Sequence, residues 1–147
     1  MTGGQQPVFG PSRFAWADLD RDSARSLWTD LTTWVDWFRE RYQPGSKITP
    51  CWYRHGAVVE ELTALMAAHK AVYVVDRGVP EPWTENLTAW HTQWMRSAVD
   101  AVARLLADCT DQHCAHRPHP PKIATDLGGF IRDDIARRPA PNRGSTP

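Results

Sequence analysis

Two short stretches of this 147-residue chain carry side chains able to bind a soft metal ion. Cys51 and His55 form a Cys-x-x-x-His pair. The octet CTDQHCAH, from Cys109 to His116, holds the other two cysteines and two of the six histidines. Thiolate sulfur and neutral imidazole are the ligands that zinc accepts in closed tetrahedral sites. Cys51, His55, Cys109 and Cys114 would make a Cys₃His set, with His113 and His116 as alternatives for a place in it. The cysteine count is odd and the thiols lie near histidines, so metal ligation is read before disulfides. Neither spacing is that of a zinc finger, and neither is a CxxC knuckle. The competing reading makes Cys51 a small buried hydrophobe and leaves Cys109 and Cys114 as surface thiols.

Other candidates for chemistry are weaker. The chain contains no HExxH, GxSxG, phosphate-binding loop or dinucleotide fingerprint. His69 falls on an apolar helical face and reads as a core histidine with one hydrogen bond. His91 reads as solvent-facing. Glu60 and Glu61 sit in the first turns of a helix, where the dipole favours them. A catalytic zinc needs an open fourth position, and a ligand set rich in cysteine argues for a closed site.

Helices must position these ligands. Apolar residues recur at Leu27, Leu31, Trp34, Val35, Phe38 and Tyr42, which predicts a first helix from about Asp20 to Tyr42, ended by Pro44-Gly45. A second runs from about His55 to Val75, with Val58, Leu62, Leu65, Met66, His69, Val72 and Tyr73 on one face. A third opens at Glu81-Pro82, with Pro82 in its first turn, and continues to about Ala107, roughly 39 Å long. Its stripe is Trp83, Leu87, Trp90, Trp94, Ala98, Val102, Leu105 and Leu106. The short connection makes helices two and three antiparallel. That brings Cys51 and His55 beside Cys109 and Cys114, although a length mismatch of roughly 7–8 Å must be absorbed near Pro50 or after Leu106. The fold expected is an all-α three-helix bundle over residues 18–116. A flexible segment, residues 1–17, precedes it, with Phe14 and Trp16 able to dock. A Pro-rich basic tail, residues 117–147, follows; it is mostly disordered but for a helical piece in GFIRDDIARR.

The composition restricts the partners. Apolar residues at 41% and charged residues at 23% are in the globular range. The formal net charge is zero, so no overall basic field grips nucleic acid. Residues 1–116 carry a net −3 and residues 117–147 a net +3, so weak nucleic-acid contact through the tail, helped by Arg96 and Arg104, is the alternative role. The eight Trp residues read mainly as filling between long helices. Trp28, Trp37 and Trp83 fit the core least well and are assigned to a partner surface. One long apolar face on each helix would also suit a homodimer. The polar N-terminus has no signal-peptide pattern, no apolar run is long enough to span a membrane, and the expected location is cytoplasmic.

The segment TPCWYRHGAVVEELTALMAAHKAV, followed by a Trp-rich helix and a terminal Cys, resembles a family of small actinobacterial proteins of unknown function. Plasmids, integrative elements and phages encode them. Cys51, Trp52 and His55 match the family's Cys-Trp-x-x-His opening, and Cys114 or Cys109 matches its closing cysteine, over about residues 28 to 114. The family's Gly-Pro-Phe before that cysteine is replaced here by Thr-Asp-Gln-His. Abundant Arg, Ala, Pro and Trp beside scarce Asn, Ile and Lys is what a GC-rich genome encodes, in keeping with that source. The resemblance implies a mobile-element setting and no activity. The reading that follows is a non-enzymatic accessory protein with structural zinc, binding a protein partner through an aromatic helical face. The alternatives are a nucleic-acid-binding module and a zinc-dependent hydrolase.

Overall fold

The computed structural model describes residues 4, 6–117 and 124–141. Among these the chain is all-α, with no strand. It divides into two units, residues 1–116 and 117–147. The end of the tail, from residue 142, lies outside the described residues.

In the first unit, α1 spans Arg21–Tyr42. Asp20 starts it as the N-cap, its Oδ1 accepting the Ser23 backbone N–H at 2.8 Å, which satisfies one of the orphan donors of the first turn. Gln43 ends it in the left-handed region at φ 48°. Leu27, Leu31, Trp34, Val35 and Phe38 are its buried face. A 3-10 turn at Gly45–Lys47 leads into Ile48 and Thr49, both fully buried. Before α1, Trp16 lies in a 3-10 turn. Its indole donates to Thr63 Oγ1 at 2.9 Å, and Phe14 and Trp16 both pack on the core.

Helix α2 spans Gly56–Tyr73 and buries Val58, Val59, Leu62, Thr63, Leu65 and Met66. The third rod covers residues 86–105 in three pieces: α3 (Asn86–Ala89), a π segment (Trp90–Met95) and α4 (Arg96–Leu105). It starts five residues later than the Glu81-Pro82 opening predicts. Thr84 sets the start instead, its Oγ1 accepting the Asn86 N–H at 3.2 Å, and Pro82 lies in the irregular connection. The rod is therefore about 30 Å long, close to α2 in length, and the expected mismatch disappears.

The π segment also changes which residues face inward. A π turn sets the next inward position at i+5 rather than i+4. From buried Trp90 the core side continues through Met95, Val99, Val102 and Leu106. Trp94 and Leu105, placed on the stripe by a regular helical period, are 56% and 45% exposed. Helix α2 and the rod run in opposite directions. His55 meets Cys109 at one end, and Tyr73 and His69 meet Trp90 at the other.

In the second unit, α5 spans Leu127–Arg137. Its Leu127, Phe130, Ile131 and Ile135 share one face, and all are exposed. None of the described helices is long and apolar enough to cross a membrane.

Candidate metal centre

Local turns prepare each half of the site. Cys51 begins a 3-10 turn, Trp52–Arg54. The Arg54 N–H bonds the Cys51 carbonyl at 3.0 Å and the His55 N–H bonds the Trp52 carbonyl at 3.2 Å. This turn folds the chain back on itself, and the His55 ring comes within 3.7 Å of the Cys51 sulfur. Burial of Trp52 anchors the turn to the core. On the other side, the Cys109 N–H bonds the Leu106 carbonyl at 2.8 Å as α4 ends. Thr110 and His113 then pair their backbones, N–H to carbonyl in both directions at 2.8 and 3.4 Å. This closed loop sets Cys114 beside Cys109, so the two cysteines of Cys-x-x-x-x-Cys can serve one site together.

The antiparallel pairing brings the halves together. His55 Nε2 lies 3.7 Å from Cys51 Sγ, 3.4 Å from Cys109 Sγ and 3.5 Å from Cys114 Sγ. All four ligand atoms fall within 4.8 Å of one another, and the four residues can hold a metal ion. Hydrogen bonding does not account for this grouping. An imidazole nitrogen has one lone pair or one N–H, and three sulfurs at nearly equal range cannot share it. The three cysteines are free thiols. His55 is the N-cap residue of α2, yet its side chain makes no cap bond; the ring is turned to the sulfurs instead.

The surroundings suit thiolates. The Ala115 N–H donates to Cys109 Sγ and the His116 N–H to Cys114 Sγ, both at 3.4 Å. Thr49 Oγ1 lies 3.2 Å from Cys51 Sγ. Such outer contacts orient metal ligands and tune their basicity. The backbone N–H of His116 is the main cause that lowers the Cys114 thiol from its ordinary value, with the Arg54 guanidinium adding to it. Burial raises Cys51. Burial, then the charge of His116, lowers His55, which keeps the imidazole neutral and its lone pair free. A cation would reverse the cost at Cys51, because a metal deprotonates a coordinating thiol outright.

His113 and His116 stand outside the cluster of four. The His116 ring meets the His55 ring edge-on with centroids 5.0 Å apart, and its backbone serves Cys114. His113 lines a shallow cleft against Cys51 and Cys114. The proposed partner-surface residues Trp28, Trp37 and Trp83 are all exposed, Trp83 entirely. Trp94 and Tyr53 are also exposed aromatics that sequence reasoning passed over. The π shift hid Trp94, and no sequence signal would have revealed it. The backbone donors to sulfur were equally invisible, since any residue supplies an N–H.

At the opposite pole is an aromatic cluster around His69. Trp34 Nε1 donates to His69 Nδ1 at 3.2 Å, in line with the core-histidine reading. The His69 ring packs against Trp37, Tyr73 and Trp90 at 4.5–4.9 Å. His91 differs from its solvent-facing expectation. It is half-buried, donating from Nδ1 to the Leu87 carbonyl at 2.7 Å and accepting at Nε2 from the Tyr42 hydroxyl at 3.0 Å. Trp90 is fully buried and its Nε1 has no hydrogen-bond partner.

No protein-family model, curated protein or solved structure matches this chain.

Proposed function

We propose that this protein is a zinc-stapled three-helix bundle, a non-enzymatic interaction protein of the accessory kind carried by mobile genetic elements. One observation carries the zinc reading. A tetrahedral ion with Zn–S near 2.3 Å and Zn–N near 2.0–2.1 Å sets each N···S edge at about 3.5–3.6 Å. The three N···S distances here are 3.4, 3.5 and 3.7 Å. With four protein donors the coordination sphere is filled, leaving no position for substrate or an activated water. That donor set favours a structural role over hydrolysis. Zinc would tie the turn before α2 to the chain after α4, two segments 54 or more residues apart in sequence.

The partner reading rests on exposed indoles at Trp28, Trp37 and Trp83, since aromatic side chains are enriched at interfaces. The mobile-element setting and the cytoplasm, where thiols stay reduced, rest on the sequence resemblance.

Metal analysis of the purified, reduced chain tests the core of the proposal. About one zinc per chain is expected, and its removal by a chelator should melt the helical signal. Less than one zinc per several chains ends the reading. Genes adjacent to this one, and a pull-down from the native host repeated with the three indoles replaced by alanine, test the setting and the partner face.

A further inference from the structure

We propose that the zinc centre is peroxide-sensitive and opens by forming one particular disulfide, Cys51–Cys114, while Cys109 stays a thiol. This rests on the zinc reading above. A cleft of about 230 Å³ reaches the site from solvent. Cys51 and Cys114 line it, together with Tyr53, Arg54, Asp111 and His113. Cys109 does not line it; that cysteine packs against the hydrophobic core. Cys114 is the least buried of the three and meets a small polar oxidant first; Cys51, buried like Cys109, is the one of those two that lines the same cleft. Arg54 and Cys114 line the same cleft, and electropositive, partly exposed surroundings are what make a cysteine reactive.

The chemistry closes with hydrogen peroxide as the oxidant. Cys114 sulfur attacks one peroxide oxygen, the O–O bond breaks, and hydroxide leaves beside Arg54, giving a sulfenic acid. Cys51 sulfur, within 4.8 Å, then attacks Cys114 sulfur. The S–O bond breaks and a second hydroxide departs. The two sulfurs together give up two electrons, and the peroxide is reduced to two hydroxides that solvent protonates to water. Closing to an S–S bond of about 2.05 Å moves the loop 110–114, which is held mainly by its own Thr110–His113 pairing. His55 and Cys109 remain as only two ligands, too few for a closed site, and zinc leaves. The four-point staple becomes a two-point one, which a thiol reductant reverses.

The test uses the full zinc-loaded chain, with zinc content measured first. Hydrogen peroxide is added with a zinc-reporting dye present, and the cysteines are mapped by alkylation and mass spectrometry. The expected result is release of the bound zinc, a Cys51–Cys114 disulfide, an alkylatable Cys109, and rebinding of zinc after dithiothreitol. Arg54→Ala should slow release about threefold or more, and Arg54→Lys should restore most of the rate. Zinc retained through the treatment, or Cys109 found in the disulfide as often as Cys114, overturns this proposal and leaves the zinc reading intact. A chain that holds no zinc before peroxide overturns both.

Discussion

Helix α2 carries a histidine at each end, and the two are used in opposite ways. His55 precedes its first turn and faces three sulfurs. His69 lies in its last turns and faces Trp34, Trp37, Tyr73 and Trp90. Burial is the leading cause that lowers both from the ordinary histidine value, so both rings are set up neutral. At His55 that neutrality leaves a lone pair for a metal. At His69 it leaves an acceptor for the Trp34 N–H, and the ring becomes part of the packing. The comparison teaches that the two poles are held by different physics. The sulfur pole is half-exposed and built from turns, and the proposed zinc would hold it by a few short directional bonds. The aromatic pole is held by buried area and ring contacts.

The largest contrast should come from removing the proposed staple. His55→Ala should lose zinc and with it the folded state at 37 °C. Structural zinc gives about 10–16 kcal/mol of apparent binding energy at pH 7, comparable with the entire stability of a small domain, about 5–15 kcal/mol. Metal content and circular dichroism on one sample check this. A variant that loses zinc yet melts as before would break the comparison.

At the other pole, Trp90→Ala should cost about 3–5 kcal/mol, as for a large buried ring, while zinc stays bound once the chain is folded. Trp90→Phe should cost clearly less. It also removes an N–H that is buried without a partner, and such a donor carries a penalty of about 1–3 kcal/mol. Denaturant melts of the two variants, with zinc content recorded, are the measurement.

The pH response separates the histidines next. A histidine whose folded value is lowered lets the unfolded chain take up the proton first as pH falls. The stability it supports is complete above about 6.5, the unfolded value, and declines below that towards the lowered folded value. In His69→Phe the acid decline of the melting temperature should be shallower than in the parent above the pH at which zinc dissociates. Zinc release followed in the same titration marks the contribution of the metal pole. An unchanged decline would mean that His69 contributes nothing to it.

The smallest effect belongs to Trp94. It is more than half exposed, so Trp94→Ala should change stability by less than about 1 kcal/mol. A larger loss would mean that the inward face of the rod continues past the π segment on the regular helical period.

Helical spacing made α1 legible almost to the residue. Leu27 to Phe38 repeat with the period of a helix, Asp20 supplies a side-chain cap, and Pro44-Gly45 stop it; every one of these signals is local. The rod from residue 86 was only partly legible. Its existence followed from pattern, but the π turn at Trp90–Met95 adds one residue to a turn, and nothing in the spacing of apolar residues marks it. Trp94 therefore gave its place to Met95, and Val99 joined Ala98, Val102 and Leu106 on the core side, while Leu105 is exposed. Pro82 is compatible with a first helical turn without requiring one, so local pattern places the start of the rod earlier than Asn86.

The ligand types at Cys51, His55, Cys109 and Cys114, and their grouping into two short half-sites, follow from the sequence alone, because each half is built by a local turn. That the halves meet could be argued from the hairpin between α2 and the rod. That both later histidines, His113 and His116, stay out of the cluster, and that backbone N–H groups of residues 115 and 116 turn to the sulfurs, was decided only by tertiary packing. Distances of a few ångströms between residues 54 and 59 positions apart depend on the matched lengths of two packed helices, and local pattern does not encode that length match.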